Sequence, residues 1–242
     1  MASPVPVCSR QRISNPLRAT LLGAEGLAPG PLQARAILAS SMNKGGRGIL
    51  KRSFDFLLSF MGLLLSAPLW PFIALAIKLE DGGTVFFLQR RVGRAGRIFR
   101  ALKFRTMHPD AEKAAGPTLA TPDDPRVTRM GRWLRATALD ELPQLVNILL
   151  GQMSFVGPRP ERPEFVNRYK DQLQGYEERF EVHPGLTGLA QVYGHYNSSP
   201  RTKLRYDILY LKRGSFWLDL RLIFLSFWIS SRGRWQVRGR KL

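Results

Sequence analysis

From Phe56 to Ile77 the chain has no polar rhythm: FLLSFMGLLLSAPLWPFIALAI carries no charged residue. As one straight helix it would reach about 33 Å, enough for a hydrocarbon core of about 30 Å. Pro68 and Pro71 interrupt it, and proline breaks or kinks a helix interior. The flanks are basic on both sides, with Lys51 and Arg52 before and Lys78, Arg90 and Arg91 after. Basic flanks prefer the cytoplasmic face. The pattern therefore predicts either a kinked transmembrane helix or a broken hairpin that enters one leaflet and returns. Ser66 and Pro68 mark the break, and the Ser66 hydroxyl is available to a freed carbonyl there.

Beyond this block the periods change. Residues from Thr84 to Met107 read as a hairpin: Val85-Phe86-Phe87-Leu88, a turn around Gly93 to Gly96, then an arm from Ile98 to Met107. That arm alternates, so Lys103 and Arg105 are expected on one face, where two neighbouring cations either clamp a diphosphate or form a solvated basic surface. A short basic helix is predicted from Val127 to Ala136, carrying Arg129, Arg132 and Arg135. An apolar helix from Leu142 to Leu150 follows, ended by Gly151. A charged helix is expected from Glu161 to Glu181, then a turn and strand-like run from His183 to Val192, and a helix from Lys203 to Leu211. The run from Phe216 to Ile229 fits either a core helix or an interfacial one with Trp217 and Trp228 at headgroup level.

Composition sharpens this picture. The 242 residues include 37 Lys and Arg against 18 Asp and Glu, a formal charge of +19. Such a balance calls for an anionic partner: nucleic acid, an anionic membrane or a phosphorylated substrate. The single cysteine, Cys8, excludes an intramolecular disulfide, and His108, His183 and His195 have no zinc-site spacing. Residues 1–46 are rich in Ala, Ser, Pro, Gly and Arg and are assigned to a disordered basic arm, with a leader or a later start at Met42 as alternatives. The tail from residue 232 to 242 is basic again. Residues 47–80 are assigned to the broken membrane helix and 81–231 to the main domain.

The candidate chemistry centres on Arg135-Ala-Thr-Ala-Leu-Asp-Glu-Leu-Pro-Gln-Leu145. Two adjacent carboxylates, Asp140 and Glu141, precede the apolar helix. Thr137 and Asp140 form a capping-box pattern; alternatively Asp140 is the N-cap and Pro143 lies in the first turn. Either places Asp140 at the positive end of a helix dipole, which favours its ionised form. A positioned carboxylate serves as a metal ligand, a nucleophile or only a cap. Arg135 lies close enough in sequence to pair with Asp140 or with a bound phosphate. Arg159, locked between Pro158 and Pro160 after a glycine, fits a preorganised contact to phosphate or base, or a rigid loop with a solvated arginine.

The order of these motifs resembles the bacterial sugar transferase family, the monotopic polyprenyl-phosphate hexose-1-phosphate transferases. The resemblance runs from about Lys51 to Trp228. It is carried by the basic flank and broken helix, Val85-Phe-Phe, Lys103-Phe-Arg-Thr-Met, Leu139-Asp-Glu-Leu-Pro-Gln-Leu, Val156-Gly-Pro-Arg-Pro and Pro184-Gly-Leu-Thr-Gly-Leu-Ala-Gln-Val. Each motif alone is weak; six in order are specific. The resemblance implies a helix-rich α+β fold, seated on the cytoplasmic face of a bacterial inner membrane by a re-entrant helix and interfacial amphipathic helices. It implies the family's short, catalytic-core form. It also implies transfer of a sugar 1-phosphate from a UDP-sugar to polyprenyl (undecaprenyl) phosphate, with UMP released, as the first membrane step of exopolysaccharide, O-antigen or glycoconjugate synthesis.

By the same resemblance Asp140 is the nucleophile and Glu141 assists Mg²⁺ binding, so both are metal-ligand candidates. Arg135 supports the carboxylates and Arg159 binds nucleotide. Lys103 and Arg105 complete the charge-neutralising set, beside Pro158 and Pro160. Anionic lipid is an expected partner for the basic surface. Two departures stand out: the break reads Ser66-Ala67-Pro68 where many members have Ser-Pro, and Gly194-His195 replaces Gly-Arg. A basic nucleic-acid-binding or scaffold protein is the alternative. No zinc finger, RNA-recognition signature or helix-turn-helix pattern supports nucleic acid, and neither function needs the Asp140-Glu141 pair.

Overall fold

A computed structural model describes residues 31–232, except 112–115, 117, 119–120, 122–123 and 195–197, with side chains from residue 48 onward. Residues 1–30 of the expected arm, 233–242 of the tail and His195 lie outside the described residues. The architecture is helix-rich α+β, as expected. Helix α1 spans Pro31–Ser66 and α2 spans Leu69–Asp81. Among the described residues no single helix is long and apolar enough to cross a membrane. Gly48–Ser66 and Leu69–Asp81 meet that test only together, as a pair bent by 61°.

The bend falls where the prolines predict it. Pro68 has no N–H to continue the helix. Ser66 supplies the local repair: its hydroxyl donates to the Leu63 carbonyl at 3.3 Å and accepts from the Trp70 indole at 3.2 Å. Lys51, Arg52 and Asp55 do more than flank the apolar block. Lys51 pairs with Asp219 at 2.8 Å. Arg52 donates to the carbonyls of Ile148 and Leu149 at 2.6 and 2.7 Å. Buried Asp55 accepts from the Phe155 amide at 3.0 Å.

Strands β1 (Phe86–Val92) and β2 (Ile98–Phe104) form an antiparallel hairpin in which Phe87 faces Lys103 and Arg90 faces Arg100. Helix α3 (Arg129–Thr137) is capped by Thr128, whose hydroxyl accepts from the Gly131 amide. Helix α4 spans Gln144–Leu149. Strands β3 (Ser154–Val156) and β4 (Gly185–Thr187) pair in parallel. Leu145, Ile148, Met153, Val156, Tyr210 and Leu222 form the main core. A second cluster of Ile73, Ile77, Phe104 and Leu134 joins α2 to β2 and α3.

Two expected elements divide. The charged run from Glu161 to Glu181 is not one helix: α5 covers Pro163–Gln172, and Tyr176–Glu181 is a 3-10 turn. Leu173 leaves the helix in an extended conformation, and Gly175, at φ 75°, turns the chain into the 3-10 segment. The run from His183 to Val192 is strand only at β4; Leu189–Tyr193 is a short helix, α6. Short apolar runs carry no period that separates the two. Helices α7 (Pro200–Arg213) and α8 (Phe216–Ser231) complete the described elements.

Candidate active site

Helix α3 ends at Ala138, a non-glycine residue at φ 58°, and this reversal throws the next residues into a 3-10 turn, Leu139–Glu141. Asp140 and Glu141 are therefore not helix caps. The Thr137 hydroxyl bonds back to the Trp133 and Leu134 carbonyls, so no capping box forms. Pro143 occupies the N-cap of α4, with no side-chain cap bond. Both carboxylates are buried.

The two acids sit in unlike surroundings. Glu141 Oε1 accepts from Lys103 Nζ and from Arg159 Nη2, each at 2.6 Å. Burial opposes its charge, but Arg159 and Lys103 outweigh burial and hold its carboxyl well below the usual range. Asp140 receives no hydrogen bond on its carboxylate among the described residues; Lys103 Nζ stands 4.0 Å from Oδ2. Burial, reinforced by the charge on Glu141, raises Asp140 to about 6 against the pull of Lys103, Arg135 and Arg159. This corrects the expected cause, not the charge: Asp140 lies in a buried turn rather than at the positive end of a helix, and its carboxyl still ionises below neutral pH. Desolvation dominates.

The expected cation set also divides. Lys103 and Arg159 converge on Glu141. Arg135 donates to Thr106 Oγ1 at 2.8 Å and acts on Asp140 through its charge. Arg105 does not join Lys103. Its guanidinium forks onto the Asp81 carboxylate, at 2.7 Å from Oδ2, and donates to the Thr84 carbonyl. Strand β2 ends at Phe104, so alternation no longer sets the Arg105 direction. Gly83 leaves the room it needs: a Cβ there would fall 2.6 Å from the Arg105 guanidinium. Pro158 and Pro160 frame Arg159; the Pro158 carbonyl accepts from the Gly185 amide at 2.9 Å.

Asn147 escapes the sequence patterns. From α4 it accepts from the Leu102 amide at 2.9 Å and donates to the Arg100 carbonyl at 2.8 Å. It thereby ties the edge of β2, and Lys103 with it, to the helix after Asp140-Glu141. An asparagine inside an apolar helix was the only available signal.

Among the described residues no group of three or more His, Cys, Asp or Glu forms a cage for a metal ion. Glu141 is engaged by cations, which leaves Asp140 as the open oxygen donor. Magnesium is commonly held by one or two carboxylates together with substrate phosphates. The donor set fits an ion shared with a phosphorylated substrate, held by Asp140 with Glu141 beside it.

The model of the bacterial sugar transferase family matches residues 46–233. The chain is 40% identical over 187 residues to an Escherichia coli protein named UDP-glucose:undecaprenyl-phosphate glucose-1-phosphate transferase, covering 75% of this chain and 40% of that one. It is 42% identical over 186 residues to the undecaprenyl-phosphate glucose phosphotransferase of Komagataeibacter xylinus, covering 73% of this chain and 35% of the relative. The exopolysaccharide production protein ExoY of Rhizobium meliloti is 40% identical over 191 residues, covering 73% of this chain and 83% of ExoY. The chain thus spans about two fifths of the length of the Escherichia coli relative. A match over most of the chain, together with relatives at this identity, makes it a member of the bacterial sugar transferase family.

Proposed function

We propose that this chain transfers a sugar 1-phosphate from a UDP-sugar to polyprenyl phosphate through a covalent intermediate on Asp140. The observation that carries this reading is the unequal pair of buried acids. Glu141 is hydrogen-bonded by Lys103 and Arg159, while the Asp140 carboxylate accepts no hydrogen bond among the described residues and has Lys103 Nζ at 4.0 Å. A carboxylate oxygen that accepts no hydrogen bond keeps its lone pairs available for attack on phosphorus.

In the first step an Asp140 oxygen attacks the phosphorus that bears the sugar. The bond from that phosphorus to the bridging oxygen breaks, and the electron pair leaves with UMP. In the second step an oxygen of polyprenyl phosphate attacks the same phosphorus and the Asp140 carboxylate is released. Lys103, Arg135 and Arg159 supply positive charge where two anions must meet. Bound Mg²⁺, held by Asp140 and the substrate phosphates, would supply further charge neutralisation. The names of the relatives share an undecaprenyl-phosphate acceptor and differ in sugar. UDP donors and this acceptor are the substrates we assign here.

The reaction needs a lipid acceptor, and the bent pair α1–α2 suits a re-entrant element at the cytoplasmic face of the inner membrane. Its outward residues are apolar: Leu65 is 75% exposed, Phe72 73% and Leu79 78%. An apolar surface on this scale marks a membrane or partner contact. The test is UMP release from a panel of UDP-sugars with Mg²⁺ and undecaprenyl phosphate, comparing wild type with Asp140→Asn. Release by wild type and loss in the variant are expected. Release that persists in the variant would remove Asp140 from the chemistry.

A further inference from the structure

Arg159 reaches Glu141 through its side chain, while two other arginines hold the carbonyls of Arg159 and Pro160. Arg179 Nη2 donates to the Arg159 carbonyl at 2.7 Å. Arg91 Nη1 donates to the Pro160 carbonyl at 2.8 Å. Arg179 is itself fixed on three sides. It donates to the Tyr176 hydroxyl, lies over the Tyr176 ring at 4.9 Å, and stands 2.9 Å from Asp207 Oδ2 in an ion pair off the hydrogen-bond direction. Arg179, Tyr176 and Asp207 are all buried.

Burying a guanidinium is costly unless its donors and charge are matched. Here the matched partners are one carboxylate, one phenol and the carbonyl of Arg159. Loops are expected to be mobile; this one is fixed by charged donors on two successive carbonyls, and charge-assisted bonds are the stronger kind. The two prolines remove backbone freedom, and the arginines remove the remaining rigid-body freedom of the segment.

We propose that Arg179, seconded by Arg91, is a positioning residue: it holds the Pro158-Arg159-Pro160 backbone so that the Arg159 guanidinium stays on Glu141 and free of Asp140. Its kinetic consequence rests on the proposed transfer reaction; the geometric one does not. Arg179→Lys keeps the charge but offers no planar fork to reach the carbonyl, the phenol and Asp207 together.

Two measurements on the full chain test this. The first is a double-mutant cycle on kcat/KM for the UDP-sugar that wild type uses fastest. Arg179→Lys is expected to lower kcat/KM about tenfold in wild type, and less than about twofold once Arg159→Ala is present. Equal losses in both backgrounds would mean a general structural role and overturn the proposal. The second is amide hydrogen exchange. The amides of Gly185 and Val92, which donate to the Pro158 and Glu161 carbonyls, should exchange about tenfold faster in Arg179→Lys, with the α4 amides unchanged. Unchanged exchange at both would also overturn it. If wild type releases no UMP from any donor, the transfer reading fails and the exchange result alone decides. If Arg179→Lys does not fold, Arg91→Lys takes its place, with the same pattern expected on the Pro160 side.

Discussion

Along α1 every buried position described is polar: Asp55, Ser59 and Ser66 turn inward while Leu57, Leu64 and Leu65 face out. Around Asp140 the order is reversed, with buried charges set among apolar side chains such as Phe104, Leu134 and Leu145. The polar groups also differ in what they have to do. In α1 each is satisfied: Asp55 by the Phe155 amide, Ser59 and Ser66 by carbonyls one turn back. At the site Glu141 is satisfied twice over and Asp140 is not. Full satisfaction is what a segment needs inside lipid, where no water completes a bond. A buried carboxylate that accepts no hydrogen bond from the protein is costly to keep, which supports the role proposed for Asp140.

The largest test of this contrast removes the unsatisfied group. Asp140→Asn should lower UMP release by about 10³-fold or more. It should also stabilise the fold at alkaline pH. A carboxyl raised to about 6 in the folded state, against about 3.9 when unfolded, lowers stability as pH rises through that window and leaves it lowered above. The gain in Tm for Asp140→Asn should therefore be larger at pH 8 than at pH 5. A Tm gain of equal size at both would contradict the burial of an ionising group. For the same reason wild-type kcat should fall about tenfold per pH unit below about 6, where Asp140 takes up its proton.

The next test places charge on the apolar side of the comparison. Leu65→Lys should weaken association with vesicles about a hundredfold, given about 3 kcal/mol for a cation in the hydrocarbon. The detergent-solubilised variant should keep its Tm, because Leu65 faces outward. Vesicle binding equal to wild type would show that the outward face of α1 does not enter lipid.

Smaller effects separate the cations. Arg159→Lys should raise the KM for UDP-sugar about tenfold through loss of the planar contact; unchanged KM would place Arg159 outside the binding site. Arg105→Lys should leave the activity of folded protein within about twofold and lower Tm by several degrees, since Arg105 is a buried partner of Asp81. A large loss of kcat there would return Arg105 to the site.

The difference between Lys103 and Arg105 also shows where sequence reasoning stops. The hairpin and the break at Ser66 and Pro68 follow from local spacing, and the grouping of Lys103 and Arg159 with the acidic pair from the family's motif order. The diversion of Arg105 does not, because Asp81 lies 24 residues away and only the tertiary fold brings them together. The same holds for Lys51 and Arg52. They read as membrane flanks, yet they bind Asp219 and the end of α4. Arg179 sits in the run Glu177-Glu178-Arg179, read as part of a charged helix; it folds into a 3-10 turn that buries Tyr176 and Arg179 and leaves Glu177 and Glu178 exposed. The surroundings of Asp140 were misread, as a helix end rather than a buried turn, because a capping pattern is visible in sequence and desolvation is not.

The central claim is that Asp140 carries the sugar phosphate between donor and acceptor. The most direct measurement is the intact mass of purified full-length protein, incubated with its preferred UDP-sugar and Mg²⁺ but no polyprenyl phosphate. The account predicts one UMP released per protein molecule and a mass gain of one sugar phosphate, localised by peptide mapping to Asp140. UMP formed with acceptor present but no adduct without it, or an adduct on another residue, would contradict it.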